Sequence, residues 1–325
     1  MSPVKSVLFV FSLAVLLFAS SSVGAQQFIN TGVQTGDISI TIRPEYPSPN
    51  EDVEVTIESS SFQLNSLPIT WLENGVELKN YKNQVKISVP AGNLGKSKTI
   101  TARIDVDGTL FDKEIVIQPS TIDLLWEGRT LTPYWYMGKS LFTRGSKLVI
   151  NAIPFIYDNS GKRIGPSQLL YTWLVNDSLV GSSMARGLQS IIITGSVLGI
   201  TENVELKVYS ASGTQLSEKK IDFSPKSPFT RWYEQNSLYG EQQIALPNSI
   251  SVTSGEVSLR PEPFFISPNA NYRWSIGNKN ADIGSEKYIT LKSETPAQNV
   301  VSFEAVDNTG KSDGTSGDIN VSLKP

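Results

Sequence analysis

The sequence predicts an all-β chain built from three tandem β-sandwich domains. Three observations carry this. Trp71, Trp173 and Trp274 recur 102 and 101 residues apart, each at the end of a short alternating apolar stretch. A repeat of about a hundred residues centred on a tryptophan has the size of one sandwich. Apolar and polar residues alternate with period two along most of the chain, as a sheet with one buried face requires, and no amphipathic helical window interrupts them. A turn glycine then follows each tryptophan, Gly108, Gly213 and Gly310, at offsets of 37, 40 and 36 residues.

The strands of the first unit read off in order. Ile38, Ile40 and Ile42 alternate with polar residues, and Val53, Val55 and Ile57 do the same. Ile69 and Trp71 follow, then Val85, Ile87 and Val89, then Ile100, Ala102, Ile104 and Val106, and Ile115 with Ile117 closes the unit. The later units repeat the end of this order through Val204, Leu206 and Val208 and through Val301, Phe303 and Ala305. The Trp strand and this late strand are expected to face each other across the core, with Trp71, Trp173 and Trp274 as core plugs. Punctuation sets the boundaries: a signal peptide at 1–25, a loose leader at 26–36, and sandwiches at 37–119, 120–225 and 226–325. Pro119-Ser120 and Pro225-Lys-Ser-Pro228 make short, stiff linkers, so the expected shape is a rod.

Lys5, the apolar run Val7 to Phe18 and the small residues Val23-Gly-Ala25 form an export signal, too short to span a bilayer comfortably. Its removal leaves 27 basic against 31 acidic side chains, with no basic block to engage nucleic acid or an anionic membrane, and no later segment reads as a membrane span. The chain has no cysteine, so each unit must fold on burial alone. It has no histidine either, which removes the commonest general base and the commonest transition-metal ligand.

Units two and three carry leading segments, Leu125 to Lys147 and Arg231 to Ser254, that the first unit lacks. They hold Trp126, Trp135 and Trp232 beside Tyr134, Tyr136, Tyr233 and Tyr239. Two readings stay open: edge-strand and domain-junction packing, or an exposed aromatic platform for a sugar or protein ligand. The platform requires Tyr134, Trp135 and Tyr136 to be solvent-accessible.

Leu125-Trp-Glu127, Tyr136-Met-Gly-Lys139, Ala152-Ile-Pro154 and Tyr171-Thr-Trp173 resemble a group of exported proteins of small-genome, candidate-phylum bacteria with tandem Ig-like or PKD-like domains. Trp232-Tyr-Glu234, Leu238-Tyr-Gly240 and Pro261-Glu-Pro-Phe-Phe265 look like a companion unit of that group. The resemblance covers about the last two thirds of the chain and implies a sandwich fold and an envelope location, with no activity. PKD domains carry a glycine- and aspartate-rich turn after the tryptophan, and Leu72-Glu-Asn-Gly75 departs from that pattern.

Several motifs imitate catalytic signatures. Asp105-Val-Asp107-Gly-Thr-Leu110 matches the haloacid-dehalogenase phosphatase pattern, but a strand rather than a helix is expected after it, so it reads as an Asp-Gly hairpin turn. Gly310-Lys-Ser312-Asp-Gly314 matches a serine-hydrolase elbow without a histidine to activate it, and Ser217 with Lys220 fits the spacing of a Ser–Lys dyad. Asp307, Asp313 and Asp318 are candidate calcium ligands. Asn176-Asp-Ser178 and Asn320-Val-Ser322 are glycosylation sequons. The expected function is a non-enzymatic exported structural, adhesive or assembly protein of the cell envelope, needing no cofactor and engaging other envelope proteins or surface glycans. A glycan- or protein-binding module is the alternative. A two-carboxylate glycosidase would need paired acids in a concave pocket.

Overall fold

The computed structural model describes residues 38–324 apart from 278, 284–286 and 308, so the signal sequence and leader expected at 1–36 lie outside the described residues. The described chain is β throughout: its helical pieces are three 3-10 turns of three residues each, and none of its helices is long and apolar enough to cross a membrane.

The first unit runs β1 (Ile38–Arg43), β2 (Asp52–Ser59), β3 (Ile69–Glu73), β4 (Val76–Glu77), β5 (Lys86–Pro90), β6 (Lys98–Val106) and β7 (Thr109–Ile117). The second repeats it with β8 (Thr121–Gly128), β9 (Lys147–Phe155), β10 (Leu170–Val175), β11 (Ser178–Arg186), β12 (Ser190–Thr194), β13 (Glu202–Tyr209) and β14 (Gln215–Phe223). The orders β1-β2-β5 and β4-β3-β6-β7 recur as β8-β9-β12 and β11-β10-β13-β14, three strands facing four. This is immunoglobulin-like and fibronectin-III-like sandwich architecture.

The third unit elaborates the plan with β15 (Phe229–Asn236), β16 (Gly240–Glu241), β17 (Ser249–Val252), β18 (Glu256–Phe264), β19 (Asn271–Ile276), β20 (Lys279–Asn280), β21 (Ile289–Lys292), β22 (Ala297–Val306) and β23 (Thr315–Leu323). Its sheets are β16-β15-β18-β21 and β17-β23-β22-β19-β20. After leaving the first sheet at β16, the chain joins the second through β17, which pairs parallel with β23.

Two expectations need correction. The Trp strand and the late strand do not face each other across the core; they are hydrogen-bonded neighbours, with Trp71 opposite Ala102, Trp173 opposite Leu206 and Trp274 opposite Phe303. Alternation reveals which face a side chain occupies, not which sheet its strand joins. The leading segments are not additions before the fold either. Residues 121–128 and 229–236 are opening strands equivalent to β1, and what the first unit lacks is the long connection that follows each of them.

The Asp105 motif is a hairpin, not a phosphatase loop. Asp107 and Gly108 take φ of 52° and 85°, the left-handed pair that joins β6 to β7 with Val106 opposite Thr109. The Asp105 carboxylate accepts the Gly108 N–H at 2.8 Å.

Each sandwich has its own apolar core. Trp71 and Trp173 are 0 % exposed and Trp274 8 %. In the first two units the indole also ties the sheets together. Trp71 Nε1–H donates to the Gln84 carbonyl at 2.7 Å, and Trp173 Nε1–H to the Leu188 carbonyl at 2.9 Å. Both acceptors stand two residues before the edge strand of the opposite sheet, β5 or β12. In the third unit the indole instead meets other rings edge-on, Trp232 at 6.0 Å and Phe303 at 5.2 Å.

Removing the bulk and removing the tether are separable. Trp71→Ala should destabilise the first unit by roughly 3–5 kcal/mol. Trp71→Phe, which mainly orphans the Gln84 carbonyl, should cost about 1–3 kcal/mol. Urea unfolding followed by hydrogen exchange should place both losses in residues 38–117, with residues 121–324 unaffected.

Candidate functional site

The long connection between β8 and β9 leaves its own sandwich and lies against the third unit. Its backbone is anchored there: Leu131 N–H donates to the Ile266 carbonyl at 2.8 Å, and Phe265 N–H to the Leu131 carbonyl at 2.7 Å. Trp135 meets Tyr233 and Phe264 edge-on at 5.2 and 6.1 Å. Tyr136 meets Phe264 and Phe265 at 5.5 and 5.7 Å. Strand alternation would send Phe264 and Phe265 to opposite faces, yet both join this cluster. Phe265 has a φ of 64°, a left-handed conformation unusual for a bulky residue, and this lets consecutive rings share one side.

A second anchor lies at the turn before β9. Arg144 Nε and Asp313 Oδ1 form an ion pair at 2.5 Å, joining the second unit to the β22–β23 turn of the third. Beside it Gly145 has a φ of 69°, and a β-carbon there would sit 1.6 Å from the Lys311 carbonyl oxygen. Only glycine allows the backbones to approach this closely.

The aromatic residues singled out in the sequence therefore take different roles. Trp126 stays in the second sandwich, half-buried and edge-on to Phe223 at 5.4 Å. The Lys139 ammonium sits 3.2 Å from its ring centroid, and burial lowers the Lys139 pKa. Trp232 is buried in the third core, whereas Tyr233, the next residue, is buried on the other face beneath Trp135. Trp135 and Tyr136 are half-buried in the junction, so the three-residue aromatic platform is not formed and this segment takes the junction-packing role. Tyr134 alone of its triplet faces solvent, 81 % exposed, and its hydroxyl donates to Glu241 Oε2 at 3.0 Å. That hydrogen bond raises the Tyr134 pKa.

Next to this junction lies a cavity of about 940 Å³, within the size range of small-molecule sites. The second unit contributes Thr132, Pro133 and Tyr134; the third contributes side chains that include Glu241, Arg260, Glu262 and Tyr272. Arg260 is the buried charge of the site, 2 % exposed. Its Nη1 lies 2.6 Å from Glu241 Oε2 and its Nε 2.8 Å from Glu262 Oε1. Those ion pairs offset the desolvation of the guanidinium. Neither nitrogen has an acceptor in line for a hydrogen bond. Nη2 donates to the Gln242 carbonyl at 3.4 Å. Burial pushes the Glu262 carboxyl above the usual carboxylate range, outweighing the downward pull of Arg260.

Sequence reading missed Arg260, Glu241 and Glu262. Along β18 the inward phase is held by Val257 and Leu259, which assigns Arg260 to the solvent face. It is held by Glu241, the Gln242 carbonyl and Glu262 of its own unit in a cavity that Tyr134 of the second unit also lines, and strand periodicity contains no trace of that. The charged pair Arg260 and Glu262 interleaved with prolines, Arg260-Pro-Glu262-Pro263, was the available signal.

The other candidates stay apart. Asp307 is enclosed by its own turn, accepting Thr309 N–H at 3.0 Å and Ser312 N–H at 3.0 Å, and these bonds lower its pKa. Asp313 faces Arg144, and Asp318 sits within β23 opposite Ser302. Among the described residues no group of three or more metal-ligating acids converges. Ser217 is buried against Ser120 at 2.9 Å while Lys220 lies 3.5 Å from Glu205, so the dyad spacing assembles no dyad.

No family model matches this sequence, and no curated protein is similar to it. Solved structures share a weak likeness. The three N-terminal domains of the bacteriophage RB49 highly immunogenic outer capsid protein are 12 % identical, with 89 % of this chain and 98 % of that one aligned at a TM-score of 0.26. A Bacteroides ovatus mixed-linkage glucan utilization locus protein, SGBP-B, solved with a mixed-linkage heptasaccharide, is 10 % identical over 88 % of this chain and 70 % of its own, at 0.25. The fibronectin(III)-like modules of Clostridium thermocellum CbhA are 12 % identical over 62 % and 94 %, at 0.22.

The junction has a direct test. Gly145→Ala forces the backbones apart at Lys311, so hydrogen exchange at the Leu131 and Phe265 amides should accelerate at least about tenfold, the effect of losing roughly 1.4 kcal/mol of local protection. Amides in β2 and β6 of the first unit should keep their protection.

Proposed function

We propose that this protein is a non-enzymatic, exported binding or adhesive component of the bacterial cell envelope. In this reading its immunoglobulin-like units carry a recognition site formed where the second and third meet. One observation supports recognition over catalysis. Two of the acids lining the cavity, Glu241 and Glu262, both close on the single guanidinium of Arg260. A glycosidase needs two carboxyl groups free to face opposite sides of a scissile bond, one giving a proton and the other attacking or activating water. Here a buried cation holds both of them.

Export rests on the amino-terminal pattern of Lys5, the apolar run to Phe18 and the small residues ending at Ala25. The absence of cysteine suits a chain that folds in any redox compartment. Intact cells of the native host should present the chain to an external or periplasmic protease, and amino-terminal sequencing should find Gln26 first. Recovery in the cytosol with Met1 or Ser2 at its start overturns the proposal.

A further inference from the structure

The junction cavity combines features that together narrow its ligand. Its ionisable walls are balanced: Arg260, Arg273 and Lys287 stand against Glu241, Glu262 and Asp282. The most buried cation already has two carboxylates within 2.8 Å, so a phosphate or sulfate would find no uncompensated charge there. An organic cation would likewise meet acids that a guanidinium already occupies. What the site does offer is accessible donors and acceptors side by side: the exposed side chains of Asn280 and Lys287 stand with the partly exposed carboxylates of Glu241 and Glu262 around the cavity.

Ring faces flank these polar groups. Tyr134 is 81 % exposed, and Tyr272 is 51 % exposed with its ring leaning on Phe303 at 5.3 Å. Hydroxyl groups that both donate and accept, set around a ring with an apolar face, match this combination. Resting on the binding role argued above, we propose that the cavity between the second and third units binds a neutral carbohydrate. A sugar ring would lie on Tyr134 or Tyr272, with vicinal hydroxyls donating to the Glu262 carboxylate.

The site also draws its walls from two domains. Thr132, Pro133 and Tyr134 come from the connection after β8, and Glu241, Arg260 and Glu262 from β16 and β18. Binding should therefore require the junction to be intact.

The test uses the full mature chain against soluble neutral polysaccharides, namely β-glucan, xylan, galactomannan and α-glucan, together with neutral chitin oligomers. Affinity electrophoresis screens them and calorimetry quantifies the binders. At least one should bind, and Tyr134→Ala should weaken it roughly tenfold, the worth of one aromatic face. Tyr134 is exposed, so this variant leaves the cores intact, and melting equal to wild type confirms it. Glu262→Gln, nearly isosteric, should also weaken binding.

Three results overturn the proposal: no binding to any member of the panel at low-millimolar sugar, binding that survives both substitutions, or Tyr134-dependent binding of a peptide or an anionic polymer instead. Surface placement with no sugar binding would defeat this inference alone. A cytosolic chain would defeat the wider reading whatever its sugar affinity.

Discussion

An indole N–H that crosses a sandwich to a main-chain carbonyl does two things that apolar packing cannot. It gives the spacing between sheets a directional component, and it selects one register of the opposing edge strand. Trp71 reaches Gln84 and Trp173 reaches Leu188, in each case just before the residue whose carbonyl joins the neighbouring strand: Val85 accepts Ile57 N–H, and Gln189 accepts Ala152 N–H. The same bond at the same place in two units means that the fold is held alike in both. With no cysteine in the chain, this tether occupies the inter-sheet role that a disulfide fills in many sandwiches of this kind.

The third unit keeps the tryptophan and changes its surroundings. Trp232 enters from β15 and packs edge-on against Trp274, so two indoles share the core space one occupies elsewhere. Trp232 Nε1 is buried without an acceptor. A core with an unsatisfied N–H is less constrained than one closed by a hydrogen bond. The same unit also differs after its first strand: the chain turns back as β16, antiparallel to β15, and then joins the opposite sheet as β17. That return supplies Glu241 to the cavity and the Gln242 carbonyl to Arg260. The unit's departures from the common plan thus coincide with the place where the site is built.

What was legible in the sequence follows this division. Period-two alternation and recurring tryptophans report on faces buried within one sandwich, so Trp71, Trp173 and the strands around them were readable one unit at a time. The pairing of the Trp strand with the late strand was not, because alternation is the same whether two strands are neighbours or opposed. The junction was readable only as an excess of aromatics. Tyr134, Trp135 and Tyr136 are consecutive and similar, yet one faces solvent and two are packed under the third unit. Arg260 lay furthest from view, since its position predicts exposure and the cavity it lines is shared with a neighbouring domain.

That sharing limits what the cavity can do. A buried guanidinium held by two carboxylates keeps a single compensating charge when either acid is lost, so the remaining acid is drawn more tightly to it. Arg260 binds both Glu241 and Glu262, and Glu241 also accepts the Tyr134 hydroxyl from the second unit. The chain of contacts therefore runs from a surface tyrosine of one domain, through an acid, to a buried arginine of the next. A ligand seated on Tyr134 and Glu262 would favour the joined arrangement of the two units by its binding free energy, and a strained junction would weaken the ligand by the same amount. Recognition and domain docking are on this account one equilibrium, which is why the junction rests on packed aromatics, an ion pair and backbone hydrogen bonds as well as on a short linker.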